Sequence, residues 1–265
     1  VYPRTKTGAE KYRKKKRIVE IGLIIKHIER FIQSDPAFET YDLQILEFGS
    51  GSGFQIPCLQ RLGRIVASDI YTSDEIKRIP RDVVFLQCSI AYAPFKDGHF
   101  DLVFSNHVIE HIGDLSDASR EMKRIGKPDC IYAFTVPTNI WLLLSLPAQY
   151  YLKSQQLFRL ILKAGKDARE TEHPNKPDLS NKPAIIRGLD RFRPRGQGVI
   201  YNFSDCYRAF KIDAWRRLFE RHGFVVKEVH PILLYAASEW PIVPVTDALN
   251  RFNICSSVLF LMQKE

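Results

Sequence analysis

Two groups of residues in this chain have types and spacings that could do chemistry. The first is Glu47-Phe48-Gly49-Ser50-Gly51-Ser52-Gly53, an acid closing an apolar run, then three glycines at alternate positions. Such a turn lets the backbone take positive φ and come close to a ligand. Asp69 closes a second apolar run sixteen residues beyond Gly53. The second group is His107, Glu110 and His111, a His-x-x-Glu-His pattern just past a later apolar run. On a helix these three share one face, and imidazole with carboxylate suits zinc or a similar ion. A histidine there also titrates near neutrality, which suits a general base for a hydroxyl. The reading preferred here takes His107 and His111 as catalytic candidates, with a metal on His107, Glu110 and His111 as the lesser alternative.

The elements that must position these residues follow from periodicity. Ile18, Ile21, Leu23, Ile24, Ile25, Ile28, Phe31 and Ile32 recur at helical spacing and predict an amphipathic helix. Strands are predicted over Leu43–Phe48, Arg64–Asp69, Val83–Gln87, Phe100–Ser105 and Cys130–Val136. Helices are predicted over Phe54–Leu62 and Leu115–Ile125, each followed by glycine. Asp213 N-caps a helix over Ala214–His222, and Phe224–Val229 with Ser256–Met262 predict an antiparallel pair at the sheet edge. Alternation of strand and helix predicts an α/β, Rossmann-like doubly wound sheet of seven strands, mostly parallel, with an insertion after the fifth strand. Glu47 and Asp69 then stand at carboxyl ends of strands, where such sheets bind ligands.

Charge divides the chain unevenly. Residues 1–17 carry eight Lys/Arg against one acid, and residues 148–198 carry eleven against five, within a net charge of +9. The first stretch reads as a solvated arm or as a surface for an anionic partner. The expected organisation is a basic arm and helix over 1–40, a ligand-binding core over 41–136, a substrate or lid insertion over 137–210, and closing elements over 211–265. Five scattered cysteines, with no CxxC, point to a reducing compartment. The 22 uncharged residues of Ile131–Leu152 have the length of a membrane span, but strand five takes the first third and Pro137 and Pro147 interrupt the rest. Trp141–Lys163 is aromatic, leucine-rich and basic, which fits an interfacial helix or a lid over the site.

The glycine turn is not a phosphate-binding P-loop, because Phe54-Gln55 stands where Gly-Lys-Ser/Thr is required. It resembles the first motif of class I S-adenosylmethionine-dependent methyltransferases, typically an acid, a hydrophobic residue and G-x-G-x-G. The similarity continues through Asp69, through Ala93-Pro94-Phe95-Lys96-Asp97-Gly98-His99-Phe100-Asp101-Leu102 into Asn106, and through Ile109-Glu110-His111. The resemblance implies S-adenosylmethionine as cofactor and S-adenosylhomocysteine as product. It implies cofactor contacts from Glu47, Gly49, Ser50, Gly51, Gly53, Asp69, Ile70, Ser89, Ile90 and Asn106. Glu47 would reach the cofactor's amino group through water, and Asp69 would hold the ribose hydroxyls, since a carboxylate accepts two hydrogen bonds in one plane. Ser89 departs from the family, which often has an Asp there for the adenine.

A looser resemblance, over residues 137–210 and Trp215-Arg216-Arg217-Leu218-Phe219, is to bacterial methyltransferases of surface polysaccharides and lipid-linked saccharides. It implies a small-molecule or glycolipid acceptor, with residues 1–17 and 141–195 facing an anionic membrane from the cytoplasmic side. Three alternatives stand beside it: a metal-dependent quinone or small-molecule O-methyltransferase, an RNA methyltransferase, and an inactive cofactor-binding fold. Nucleic acid is disfavoured because the basic segments lack interleaved aromatics for stacking bases.

Overall fold

The computed structural model describes residues 6–34, 42–72, 79–147, 149–151, 154, 196–200, 202–235 and 246–265. Its elements are α1 (Lys6–Ser34), β1 (Leu43–Phe48), α2 (Ile56–Leu59), β2 (Gly63–Asp69), β3 (Val84–Gln87), β4 (Phe100–Asn106), α3 (Leu115–Ile125) and β5 (Gly126–Pro137). A helical stretch over 139–147 follows. Then come α4 (Phe203–Ala209), α5 (Ile212–Arg221), β6 (Phe224–Leu233), α6 (Thr246–Asn250) and β7 (Ser257–Lys264).

The strands form one seven-stranded sheet in the order β3-β2-β1-β4-β5-β7-β6. The first five pair with one another in parallel. Strand β7 runs antiparallel between β5 and β6, so the expected edge pair is present. The order reverses between β1 and β4, and the gap that opens at their carboxyl ends is the usual ligand position in such sheets.

Alternation along the central strands feeds two cores. Leu102 and Phe104 of β4, Ile131 and Ala133 of β5, and Leu259 and Leu261 of β7 face one side. Ile21, Ile24, Ile25, Ile28, Phe31 and Ile32 of α1 cover them, each contributing about 1.5–3 kcal/mol on burial. Phe100, Val103, Tyr132, Phe134, Phe260 and Met262 face the other side, under Met122 and Ile125 of α3 and Trp215 and Phe219 of α5. The Trp215 Nε1–H donates to the Pro137 carbonyl at 2.9 Å, fixing the carboxyl end of β5.

Four expectations need correction. Asp213 lies in the first turn of α5 and is not its N-cap, which is Lys211. Helix α1 starts at Lys6, so residues 6–17 are helical and not a free arm. The helix behind the glycine turn is only Ile56–Leu59, because hydrogen-bonded turns occupy both flanks. The region 107–111 is not one helical turn: His107 has φ +57 and only Ile109–His111 forms a 3-10 helix. His173 and the arginines at 187, 191, 193 and 195 lie outside the described residues, as does most of Trp141–Lys163. No described helix is long and apolar enough to cross a membrane.

Candidate active site

The glycine turn is tied to the end of β2. Gly49, Gly51 and Gly53 take φ of +70, +55 and +68, which side chains strongly disfavour. A Cβ on Gly49 would lie 2.3 Å from Val108 Cγ2, whereas one on Gly51 would meet nothing within 4 Å. The turn therefore packs tightly on one side and is open on the other. The Ser50 N–H donates to the Ser68 carbonyl at 3.0 Å, and the Gly51 N–H to Asp69 Oδ2 at 2.9 Å. Asp69 Oδ1 accepts from the Tyr71 N–H at 3.0 Å. Each carboxylate oxygen retains a lone pair for a further donor.

Beneath the turn, Gln55 links two strands. Its Nε2 donates to Glu47 Oε1 at 3.0 Å, and its Oε1 accepts from Asn106 Nδ2 at 2.6 Å. Glu47 Oε2, Ser50 Oγ, Asn106 Oδ1 and Glu110 Oε2 are buried without a hydrogen-bond partner. Burial pushes the Glu47 carboxyl up to about 8, with the nearby Asp69 charge adding to the shift. Three of these atoms, on Ser50, Asn106 and Glu110, belong to residues that line one opening, where polar groups of a ligand can satisfy them.

The opening is a cavity of about 510 Å³ lined by Gly49–Ser52, Gln55, Asn106, His107, Glu110, His111 and Trp141, and on its far side by Lys16, Arg17, Glu20, Gln197 and Tyr235. Of the residues expected to contact a cofactor, Gly49, Ser50, Gly51 and Asn106 line it. Glu47 lies beneath, and Asp69 and Ile70 lie at the neighbouring end of β2, where Ile70 is 52% exposed. Ser89 is exposed, and although its Oγ accepts from the Ala91 N–H at 3.3 Å and caps a short 3-10 helix, its O–H and a second lone pair are left for a ligand. Ile90 turns its side chain into the core, so only its backbone could meet a ligand.

His107 sits in a cage of acids. Its Nε2 is 3.3 Å from Glu20 Oε1 and 3.4 Å from Tyr235 Oη, and its Nδ1 is 3.6 Å from Glu110 Oε1. Burial disfavours its charge, but Glu20 and Glu110 outweigh burial and raise its pKa to about 9. Glu20 is held down at about 2 against its own burial, mainly by the His107 charge. His107 is therefore protonated at neutral pH, and the expectation that it serves as a general base does not fit this environment. His111 is exposed at the cavity wall. Among the described residues no group of three His, Cys, Asp or Glu side chains forms a metal-holding arrangement.

Residues 46–134 match the family profile of a methyltransferase domain. Residues 46–134 carry a methyltransferase domain, set on a Rossmann-like seven-stranded sheet. Among curated proteins none matches the sequence significantly. Among solved structures, the methyltransferase is similar to a Thermotoga maritima S-adenosylmethionine-dependent enzyme described as a possible histamine N-methyltransferase. That pair shares 13% identity at a TM-score of 0.52, over 93% of this chain and 90% of the other. It is also similar to a structure from Haloferax volcanii of a methyltransferase activator in complex with a methyltransferase, with 18% identity, a TM-score of 0.51, and coverage of 95% and 92%. At these identities the likeness concerns the fold. The methyltransferase takes its methyl group from S-adenosylmethionine, and the orphaned polar atoms and the open face of Gly51 fit that group.

Sequence reasoning missed Lys16, Arg17, Glu20, Gln55, Gln197 and Tyr235. One signal was present. Glu20 continues the stripe of Ile24 and Ile28 at four-residue spacing, and a charge on a buried stripe must have a partner.

Proposed function

We propose that this enzyme transfers a methyl group to a hydroxyl of a saccharide or lipid-linked saccharide. The observation that carries the reading is that one cavity joins the glycine turn to Glu110, His111 and Trp141. Donor and acceptor groups would thus meet in one space, which converts an encounter of two molecules into an oriented one. Trp141 offers a flat apolar face of the kind a sugar ring rests on. Residues 41–136 would hold the donor, and residues 137–210 would supply the acceptor wall.

Glu47, Gly49, Ser50, Gly51, Gly53 and Asn106 would hold the cofactor's amino-acid end. Asp69, Ile70, Ser89 and the Ile90 backbone would hold its nucleoside. When bound, the sulfonium supplies a methyl carbon already attached to a good leaving group. The chain's own residues then orient and manage a proton. His107, held as imidazolium, fixes Glu110 in the wall. His111, exposed and with no carboxylate at salt-bridge distance among the described residues, takes the proton of the acceptor hydroxyl. The half-exposed Leu143, Tyr150 and Tyr151 fit the interfacial placement of residues 141–195 against an anionic membrane.

The test uses methyl-labelled donor with lipid-linked saccharide extracts, free sugars, quinone precursors and RNA. Label entering the saccharide fractions is expected, and label in quinone or RNA alone overturns the acceptor. Asp69→Ala should weaken S-adenosylhomocysteine binding by about tenfold or more in calorimetry, with the fold intact. Flotation showing no preference for anionic liposomes would remove the membrane from the picture.

A further inference from the structure

Lys16 and Arg17 are consecutive on α1, and both line the cavity. Burial is the main influence on Lys16 and disfavours its charge. Its Nζ lies 4.0 Å above the Tyr235 ring, a contact that helps hold the ammonium. Among the described residues no carboxylate lies within salt-bridge distance of it. Glu20 is one turn further along the helix, but its Oε1 is taken by His107 at 3.3 Å and by the Ser257 hydroxyl at 2.9 Å. Arg17 is exposed at the same wall and also has no described salt-bridge partner. Glu20 favours the Lys16 ammonium against its burial, but that carboxylate also serves His107. A desolvated cation that faces an open cavity and only shares its counter-charge can take a further anion.

The position of the pair assigns it to one side of the cavity. Lys16 touches Tyr235, which follows β6, and neighbours Glu20, which is tied to the end of β4 and the start of β7. It therefore lies over the β4–β6 half of the sheet, while Gly49–Gly53 and Asp69 lie at the ends of β1 and β2. A guanidinium fork beside an ammonium suits the oxygens of a phosphate or carboxylate.

We propose that Lys16 and Arg17 form an anion subsite for the methyl acceptor, taking a phosphate or carboxylate carried on the same molecule as the reacting group. This rests on reading the cavity as the methyl-transfer site. It narrows the saccharide acceptors to phosphorylated or acidic ones and sets neutral sugars aside.

The test titrates inorganic phosphate into the apo protein and into the S-adenosylhomocysteine complex at constant ionic strength, following thermal stability. It uses wild type, Lys16→Met, Arg17→Gln and Lys16→Arg, with S-adenosylhomocysteine affinity measured separately by calorimetry. Phosphate should stabilise wild type, and its dissociation constant should rise about tenfold in Lys16→Met and Arg17→Gln. Lys16→Arg should retain phosphate binding to within about threefold, and the nucleoside product should bind all four proteins to within about threefold. Absence of stabilisation by phosphate, or equal phosphate affinity in Lys16→Met and wild type, overturns the subsite. A loss of about tenfold or more in S-adenosylhomocysteine affinity on Lys16→Met also overturns it, by giving the cation to the cofactor's own carboxylate. Wild type that binds phosphate but not S-adenosylhomocysteine would sink the methyl-transfer reading and with it the acceptor assignment, while the anion site itself would stand.

Discussion

The two halves of the sheet build their share of the cavity in different ways. At the ends of β1 and β2 the working parts are backbone. Three glycines with positive φ and two backbone N–H groups donating to the Asp69 carboxylate build this side from residues close in sequence. At the ends of β4, β6 and β7 the working parts are side chains gathered from far apart. Glu20 meets His107 across 87 positions and Ser257 across 237, and Tyr235 meets His107 across 128. The first arrangement can serve one invariant ligand. The second can be changed one side chain at a time, as a variable acceptor demands.

The sharpest way to break this contrast is to remove one side chain from the gathered half. Glu20→Ala leaves a buried imidazolium without its main partner and should cost about 3–5 kcal/mol in urea unfolding at neutral pH. A loss near zero would mean that the cage is not a structural unit. Next comes the backbone half. Gly49→Ala forces a Cβ against Val108 at positive φ and should cost about 2–3 kcal/mol, together with most of the S-adenosylhomocysteine affinity.

Proton linkage separates the halves further. The His107 pKa is raised, so its contribution is complete below its reference value of 6.5 and lost as pH rises through about 9. The Glu20 pKa is lowered, so its contribution is complete above 4.5 and lost as pH falls through about 2. The pair is therefore at full strength between pH 4.5 and 6.5, and Glu20→Ala should flatten the wild-type stability profile on both sides of that window. The smallest effect concerns Glu47, neutral at pH 7 because its pKa is raised to about 8. A cationic amino group nearby would favour the carboxylate, so S-adenosylhomocysteine binding should release a proton. Affinity should climb from pH 6 to 8 by at most about tenfold per unit. A flat profile would place the amino group away from Glu47.

The same contrast explains what was legible in the sequence. The glycine turn, Asp69 and the seven-strand alternation depend on short-range spacing, and each stands where periodicity put it. The side chain of Ile90 answers to core packing, which spacing does not report, and leaves only its backbone for a ligand. His107 was misjudged for a related reason. Its ordinary titration near neutrality is displaced by Glu20, which arrives from α1, a helix whose packing partners spacing alone does not name. Lys16 and Arg17 were counted within a basic run, and only the helical continuation of α1 over β4 and β7 brings them to the cavity.

Strand β7 lies between β5 and β6 and supplies Ser257 to Glu20. During synthesis Glu20 emerges 237 residues before that partner, an interval on the order of tens of seconds at ordinary elongation rates. The glycine turn and Asp69 are complete long before then. A nascent chain can therefore form its donor side early, while the acceptor side is finished only when a late strand inserts into the middle of an existing sheet. The slowest step in maturation should be β7 docking, and methyl transfer should appear only after it.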